Sequence, residues 1–358
     1  MARELATNWP LLQQDERDND LRRMKEALAV GLYTEILELW DLISGELWQS
    51  GFLNPNKPGY IQYAQIALQA AQGLGNFAAE CEIRNGLGWA YMERGDFSKA
   101  EAWFKSVLDC DRRTGNIGGE CRTIRDLGTL AVRRNRFGTA LKLYRTALRI
   151  VQAQKPDAPT EEAEAWAIRE AEIYNLLGNL FLHLREYKQS WNALSHSLQK
   201  YEDLGDKYRY YLAAPLLNMG HWHFRQGHYV EARGYYQKCL QVSTELGRKD
   251  MIAGAKFWLA HVEEVEGNLT IATRLIEEAE SAYNEVGMYA MRELASQVGQ
   301  RLSTNQRPSW LARVLGQRVD LRRLLDFTWT AVDLLLTEPI LAVKVSVRLT
   351  ASVVKQLF

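Results

Sequence analysis

The sequence predicts an all-α fold, a solenoid of stacked helical hairpins, on three observations. One pattern recurs five times, at Asn85-Gly-Leu-Gly-Trp-Ala-Tyr91, Asp126-Leu-Gly-Thr-Leu130, Asn175-Leu-Leu-Gly-Asn-Leu-Phe181, Asn218-Met-Gly-His-Trp222 and Phe257-Trp-Leu-Ala-His261. Aligned on Gly88, Gly128, Gly178, Gly220 and Ala260, the copies lie 40, 50, 42 and 40 residues apart, the spacing of a two-helix repeat. The 358 residues exceed the roughly 250 at which one hydrophobic core stops growing, so the chain holds either several domains or a repeat array. Eight prolines against 11 tryptophans and 16 tyrosines favour helices with large aromatic contacts over a loop-rich fold.

The elements follow in order. Residues 1–21 form an N-terminal segment in which Arg3, Glu4, Asp15, Glu16, Asp18 and Asp20 leave no apolar core of the kind a signal peptide needs. Residues 22–74 read as a degenerate hairpin: Leu32, Ile36, Leu39, Trp40, Ile43, Leu47 and Trp48 recur at helical spacing, Gly51-Phe52 marks a turn, and Tyr60 to Gln72 supplies a second helix. Residues 75–303 are the array of about five repeats. Nine residues after each anchor stands an aromatic or leucine (Phe97, Phe137, Tyr187, Tyr229, Leu269). A small residue follows three later (Ala100, Ala140, Ser190, Ala232, Ala272), and a large apolar one four beyond that (Phe104, Tyr144, Leu194, Tyr236, Ile276). Small residues at Gly88 and Ala100 let antiparallel helices approach closely, while Phe97 and Phe104 fill the space around the crossing.

Turns within hairpins are expected at Gly95-Asp96, Gly227-His228 and Gly267-Asn268, and turns between them at Gly75, Gly115, Gly205, Gly247 and Gly287. The ten extra residues of the third step fall at Lys155 to Thr160, a lengthened inter-repeat loop. Residues 304–358 form a C-terminal capping or interaction tail. Thr304 to Pro308 breaks the preceding helix, and the alternation at Leu341, Val343, Val345 and Val347 suits either a helix, which is favoured, or a short strand.

These residues resemble the tetratricopeptide repeat, whose pattern W-x-x-L-G-x-x-Y, then A, then F runs in a 34-residue period. The spacing near 40 residues is similar to the longer-helix subtype of kinesin light chains, spindle adaptors and the sensor arms of STAND-type NTPases. Asp111-Arg-Arg-Thr-Gly-Asn-Ile-Gly-Gly-Glu-Cys-Arg122 is similar to the inter-repeat segment of that last group. The resemblance spans about residues 60 to 300 and departs at Ser190, Ala260 and the ten-residue insertion. It implies a right-handed superhelical solenoid, a non-enzymatic role and a concave groove lined by the first helix of each hairpin.

Composition narrows the function further. With 44 basic and 44 acidic residues the formal charge is zero, which counts against a globally basic nucleic-acid binder. Cys81, Cys110, Cys121 and Cys239 show no metal or secreted-scaffold spacing and read as buried thiols of a cytoplasmic protein. The apolar window Leu324 to Val343 contains Asp326, Asp333, Glu338 and Pro339, which argues against a membrane span. Gly115 to Gly119 lacks the Lys-Ser/Thr of a phosphate loop and reads as a repeat turn. His221 and His223, two apart on a helix, point about 200° from each other, so no metal is expected, nor any catalytic residue or cofactor.

The neutral total conceals a dipole. Residues 111–155 hold eleven basic against three acidic side chains, a net of +8, whereas residues 156–206 hold ten acidic against four basic, a net of −6. On the second hairpin Arg122, Arg125 and Arg133 share one face opposite Leu127 and Leu130. Neighbouring first helices present Asn85 and Trp89, then Asn175, Asn179 and His183, then His221 and Arg225. Asn85 and Asn175 match the family's groove asparagines, which clamp an extended peptide backbone. Together these residues predict an adaptor that takes an extended, acidic segment of a protein or peptide partner. The alternative is a stand-alone sensor arm for a STAND-like NTPase supplied in trans. Nucleic acid is disfavoured, and the apolar tail is expected to cap the array or mediate self-association.

Overall fold

The computed structural model describes residues 14–51, 59–154, 161–286 and 288–304, and the chain divides into two compact units, Met1–Gln154 and Lys155–Phe358. Unit 1 carries α1 (Gln14–Ala29), α2 (Tyr33–Gly51), α3 (Tyr60–Leu74), α4 (Phe77–Glu93), α5 (Phe97–Thr114), α6 (Ile117–Arg133) and α7 (Phe137–Ala153). Unit 2 carries α8 (Glu161–His183), α9 (Tyr187–Asp203), a 3-10 turn (Asp206–Leu212), α10 (Ala213–Arg225), α11 (Tyr229–Glu245), α12 (Lys249–Glu266), α13 (Leu269–Glu285) and α14 (Tyr289–Ser303). No strand occurs among the described residues. Within each unit every helix packs on its neighbours in the chain, which is the stacked-hairpin class expected from the repeat.

The anchor residues show why the pattern is what it is. A Cβ added to Gly88 would stand 2.6 Å from the Phe104 ring, one at Gly128 2.5 Å from Tyr144, and one at Gly178 2.5 Å from Leu194. Gly220 faces Tyr236 in the same way, so the glycine of one helix is the socket for the large residue of the next. Phe104, Tyr144, Leu194, Tyr236 and Ile276 are all buried, as are the small residues Ala100, Ala140, Ala232 and Ala272. Ser190 keeps its place in that series because its buried hydroxyl donates to the Gly178 carbonyl at 2.7 Å.

Seven residues after each anchor the backbone turns left-handed, at Gly95, Asn135, Arg185, Gly227 and Gly267. Three are the glycines read as hairpin turns. Asn135, a residue type that tolerates the left-handed conformation, and Arg185, which carries no turn signal, make the same turn without glycine. The turns between hairpins fall at Gly75, Gly115, Gly205 and Gly247, all with positive φ. Asn76, Asp96 and Asn116 then cap α4, α5 and α6, accepting from the backbone N–H of Ala79, Lys99 and Gly119.

Two features differ from expectation. Cys81 and Cys110 are not thiols: they form a disulfide joining the start of α4 to the end of α5, whereas Cys121 and Cys239 are free and buried. The two helices are antiparallel, so residues near opposite ends of the hairpin's sequence come side in side, which spacing alone does not reveal. Helix α1 crosses the expected boundary at residue 21, and α2 with α3 forms the N-terminal hairpin without it. The repeat pattern continues on both sides of the division after Gln154, where the insertion begins. The insertion itself, the turn at Gly287 and the tail from residue 305 lie outside the described residues, as do the cap and strand expectations for that tail. Among the described residues no helix is long and apolar enough to cross a membrane.

Candidate functional site

In unit 1 the expected groove residues sit on α4 and α6, where Asn85, Trp89, Arg122, Arg125 and Arg133 are all half-buried. They do not project independently. The Asp126 carboxylate, with no exposed surface, accepts from Asn85 Nδ2 at 3.0 Å and from Trp89 Nε1 at 3.2 Å on one oxygen. Its other oxygen accepts from Arg125 at 2.9 and 3.1 Å. Arg133 reaches Glu93 at 3.1 Å, and Arg134 reaches Glu101 at 2.6 Å. These cross-hairpin bonds hold the arginines and the indole in fixed positions and offset part of the positive charge counted along the sequence. Arg122 stands nearer the inter-repeat edge, beside Asp111, whose carboxyl is raised from its ordinary value by burial and drawn back by Thr123 and Arg122.

In unit 2 the corresponding residues sit on α8 and α10. Asn218 Nδ2 donates to Asn175 Oδ1 at 2.9 Å, so the asparagine at this register again bonds the next first helix, as Asn85 does in unit 1. Asn179 and His183 lie one and two turns further along α8, half-buried. The His221 ring packs edge-on against Trp258 at 4.4 Å and Tyr236 at 5.7 Å. Burial pushes its imidazole down to about 3, and the nearby Arg225 and His183 push the same way. His223 instead meets Trp222, Trp191 and Tyr235, so the two histidines serve different surroundings. Among the described residues no three His, Cys, Asp or Glu side chains group as a metal site.

In the sequence Asp126 reads as the first residue of a repeat copy and as one of three acidic residues in a basic stretch, although it organises the unit 1 face. The available signal was its place two residues before the anchor, where Asn218 and Trp258 also stand in their repeats. Glu93 and Glu101 were missed because their partners lie 40 and 33 residues away.

Paired helices, a small anchor seated against a large residue, and a left-handed turn at a fixed offset define a helical-hairpin repeat protein. The model of the tetratricopeptide repeat matches residues 82–153 and 169–245, from within α4 to the end of α7 and from within α8 to the end of α11, and these two segments carry tetratricopeptide repeats. No curated protein matches its sequence. Solved structures share the fold. Aspartyl phosphate phosphatase F from Bacillus subtilis is 12% identical, with a TM-score of 0.55 over 90% of this chain and 87% of that one. A Rap protein complexed with competence and sporulation factor is 14% identical, with a TM-score of 0.52 over 96% and 99%. A STAND protein with a tetratricopeptide repeat sensor from Pyrococcus horikoshii is 12% identical, with a TM-score of 0.51 over 92% of this chain and 50% of that one. This chain therefore spans about half the length of the STAND protein. At such identities the likeness is one of fold.

Proposed function

We propose that the protein is a non-enzymatic adaptor whose first helices take an extended, acidic segment of a protein partner. The observation that carries this reading is the Asp126 network, which positions Arg125, Trp89 and Asn85 before any ligand arrives and so reduces the ordering cost of binding. A partner carboxylate exchanging with Glu93 would receive a charge-assisted bond from Arg133, and Arg122 would supply a second. Unit 2 offers a surface of a different kind, with His183 and Arg225 near His221, whose ring packs on Trp258, and Asn179 one turn before His183 on α8. The Rap neighbour, complexed with competence and sporulation factor, supports a binding role for this fold.

The test is capture of partners from a lysate by the full chain, compared with two variants of equal charge change. Arg122→Glu with Arg133→Glu should lose the partner, whereas Arg112→Glu with Arg113→Glu should retain it. Arg125 is left intact because its loss would strand Asp126. Equal losses from both variants would mean nonspecific electrostatics, and retention by both would exclude the unit 1 face.

The likeness to the STAND protein favours a second reading, a sensor arm supplied in trans. Recovery of a nucleotide hydrolase as the captured partner would select it, and retained oligonucleotide binding at physiological salt would overturn both.

A further inference from the structure

Two helices of unit 1 carry opposite charge with no ion pair among the described residues to neutralise their exposed side chains. Helix α7 contains Lys142, Arg145 and Arg149 and no carboxylate. All three cations are exposed, spaced along one line of the helix that starts at Gly138, where an added Cβ would meet only open space. Arg149 bonds Thr146 Oγ1 at 3.0 Å, and none of the three has an ion-pair partner among the described residues. Helix α2 is the reverse. It contains Glu35, Glu38, Asp41 and Glu46 and no cation. Glu35, Glu38 and Asp41 are exposed and likewise without an ion pair, and beside them Leu42 leaves 47% of its surface in water.

Each stripe is about 10 Å long at 1.5 Å per residue, so the two match in length as well as in sign. They cannot meet within one chain's unit 1. Helix α2 packs on α1 and α3, α7 packs on α6, and the helices α3 to α6 lie between them in the stack. This isolation distinguishes α7 from the first-helix face, where Arg125 and Arg133 already have Asp126 and Glu93. A nucleic acid or an anionic membrane would account for α7 but leave the carboxylates of α2 and the exposed Leu42 without a role. A second copy of this chain accounts for both.

We propose that the acidic face of α2 in one molecule docks on the basic face of α7 in a second copy of the chain. The two surfaces are different, so the contact is heterologous: in a pair one molecule keeps a free α7 face and the other a free α2 face, and association continues into a ring or an open filament. Exposed ion pairs contribute little singly, so the assembly is weak and depends on salt and concentration.

The experiment is sedimentation of the full chain over a concentration series at low salt and at about 1 M salt, where the screening length is about 3 Å. Association should occur at low salt and be lost at high salt. Lys142→Glu/Arg145→Glu/Arg149→Glu should weaken it about tenfold or more, and so should Glu35→Lys/Glu38→Lys/Asp41→Lys. All six side chains are exposed, and circular dichroism checks that both variants keep the parent's helicity. Carrying the two sets of reversals in one chain restores complementary faces and should restore association. Mixing the two triple variants should likewise give a mixed species that neither forms alone. A parent that stays monomeric at low salt would overturn the proposal. Association that survives either triple reversal would also overturn it, placing the contact elsewhere, including residues 304–358. Failure of the sixfold variant to recover would show that the two stripes do not face each other.

Discussion

Asp126 bonds side chains from two helices of unit 1, and its burial makes those bonds hard to replace. Asp126→Ala removes the carboxylate partner of Arg125 and the acceptor for Asn85 and Trp89, so it should cost about 3 to 5 kcal/mol, the range for breaking a buried charge pair. Asp126→Asn keeps an acceptor for Asn85 and Trp89 and should cost less. Urea denaturation of the two variants and the parent measures the order, and a parent-like midpoint for the alanine variant would show that the network adds no stability. The same residue explains why charge counting overstated the groove. Of the three arginines read as a basic face, Arg125 and Arg133 lie against carboxylates at 2.9 and 3.1 Å.

Glycines separate two effects at the level of the element. Gly95 holds φ at +75° in the turn between α4 and α5, so Gly95→Ala should cost about 1 to 2 kcal/mol through backbone strain, although an added Cβ would touch nothing. Gly234, in the middle of α11, also has open space around it but an ordinary helical backbone, so Gly234→Ala should stabilise by about 1 kcal/mol. Thermal melts of both variants test the pair, and a shift in the same direction for both would refute the distinction. The anchors belong to a third case. At Gly88 the obstacle is the Phe104 ring at 2.6 Å rather than φ, which is why alanine there overpacks the crossing.

On the scale of the molecule the two units differ in how they should respond to acid. All six histidines lie between residues 183 and 261, within unit 2, and unit 1 has none. Burial holds His221 down to about 3 and also lowers His223, so the folded unit keeps both neutral where the unfolded chain protonates. The unfolded state therefore binds more protons below about pH 6.5, and the stability of unit 2, complete above that pH, should fall as pH drops from 6.5 towards 3, by up to about 1.4 kcal/mol per pH unit for each such proton. Unit 1 has the opposite sign at Asp111, whose raised carboxyl favours the folded state as pH falls through its raised value towards the ordinary one. Its lowered carboxylates, Asp96 and Glu101, lose their contribution only below the ordinary carboxylate range. Amide exchange between pH 7 and 5 should then show protection falling in unit 2 before unit 1, and His221→Gln should flatten that dependence. Equal loss in both units would overturn the assignment.

The sequence alone determined the hairpins, because they rest on local and periodic physics. Close crossings demand small residues, as at Gly88 and Gly128, and the turns demand a left-handed backbone, as at Gly95 and Gly115; both requirements appear at fixed offsets in one dimension. At Arg185 the turn survives because the helices on either side fix it, so the residue there no longer reports it. Tertiary structure alone decided the pairings. Asn85 with Asp126, Arg133 with Glu93, Asn175 with Asn218, and Cys81 with Cys110 join residues 41, 40, 43 and 29 positions apart. A side chain's charge and polarity are written in its identity, but whether that charge is spent inside the protein or left for a partner depends on which helix packs beside it.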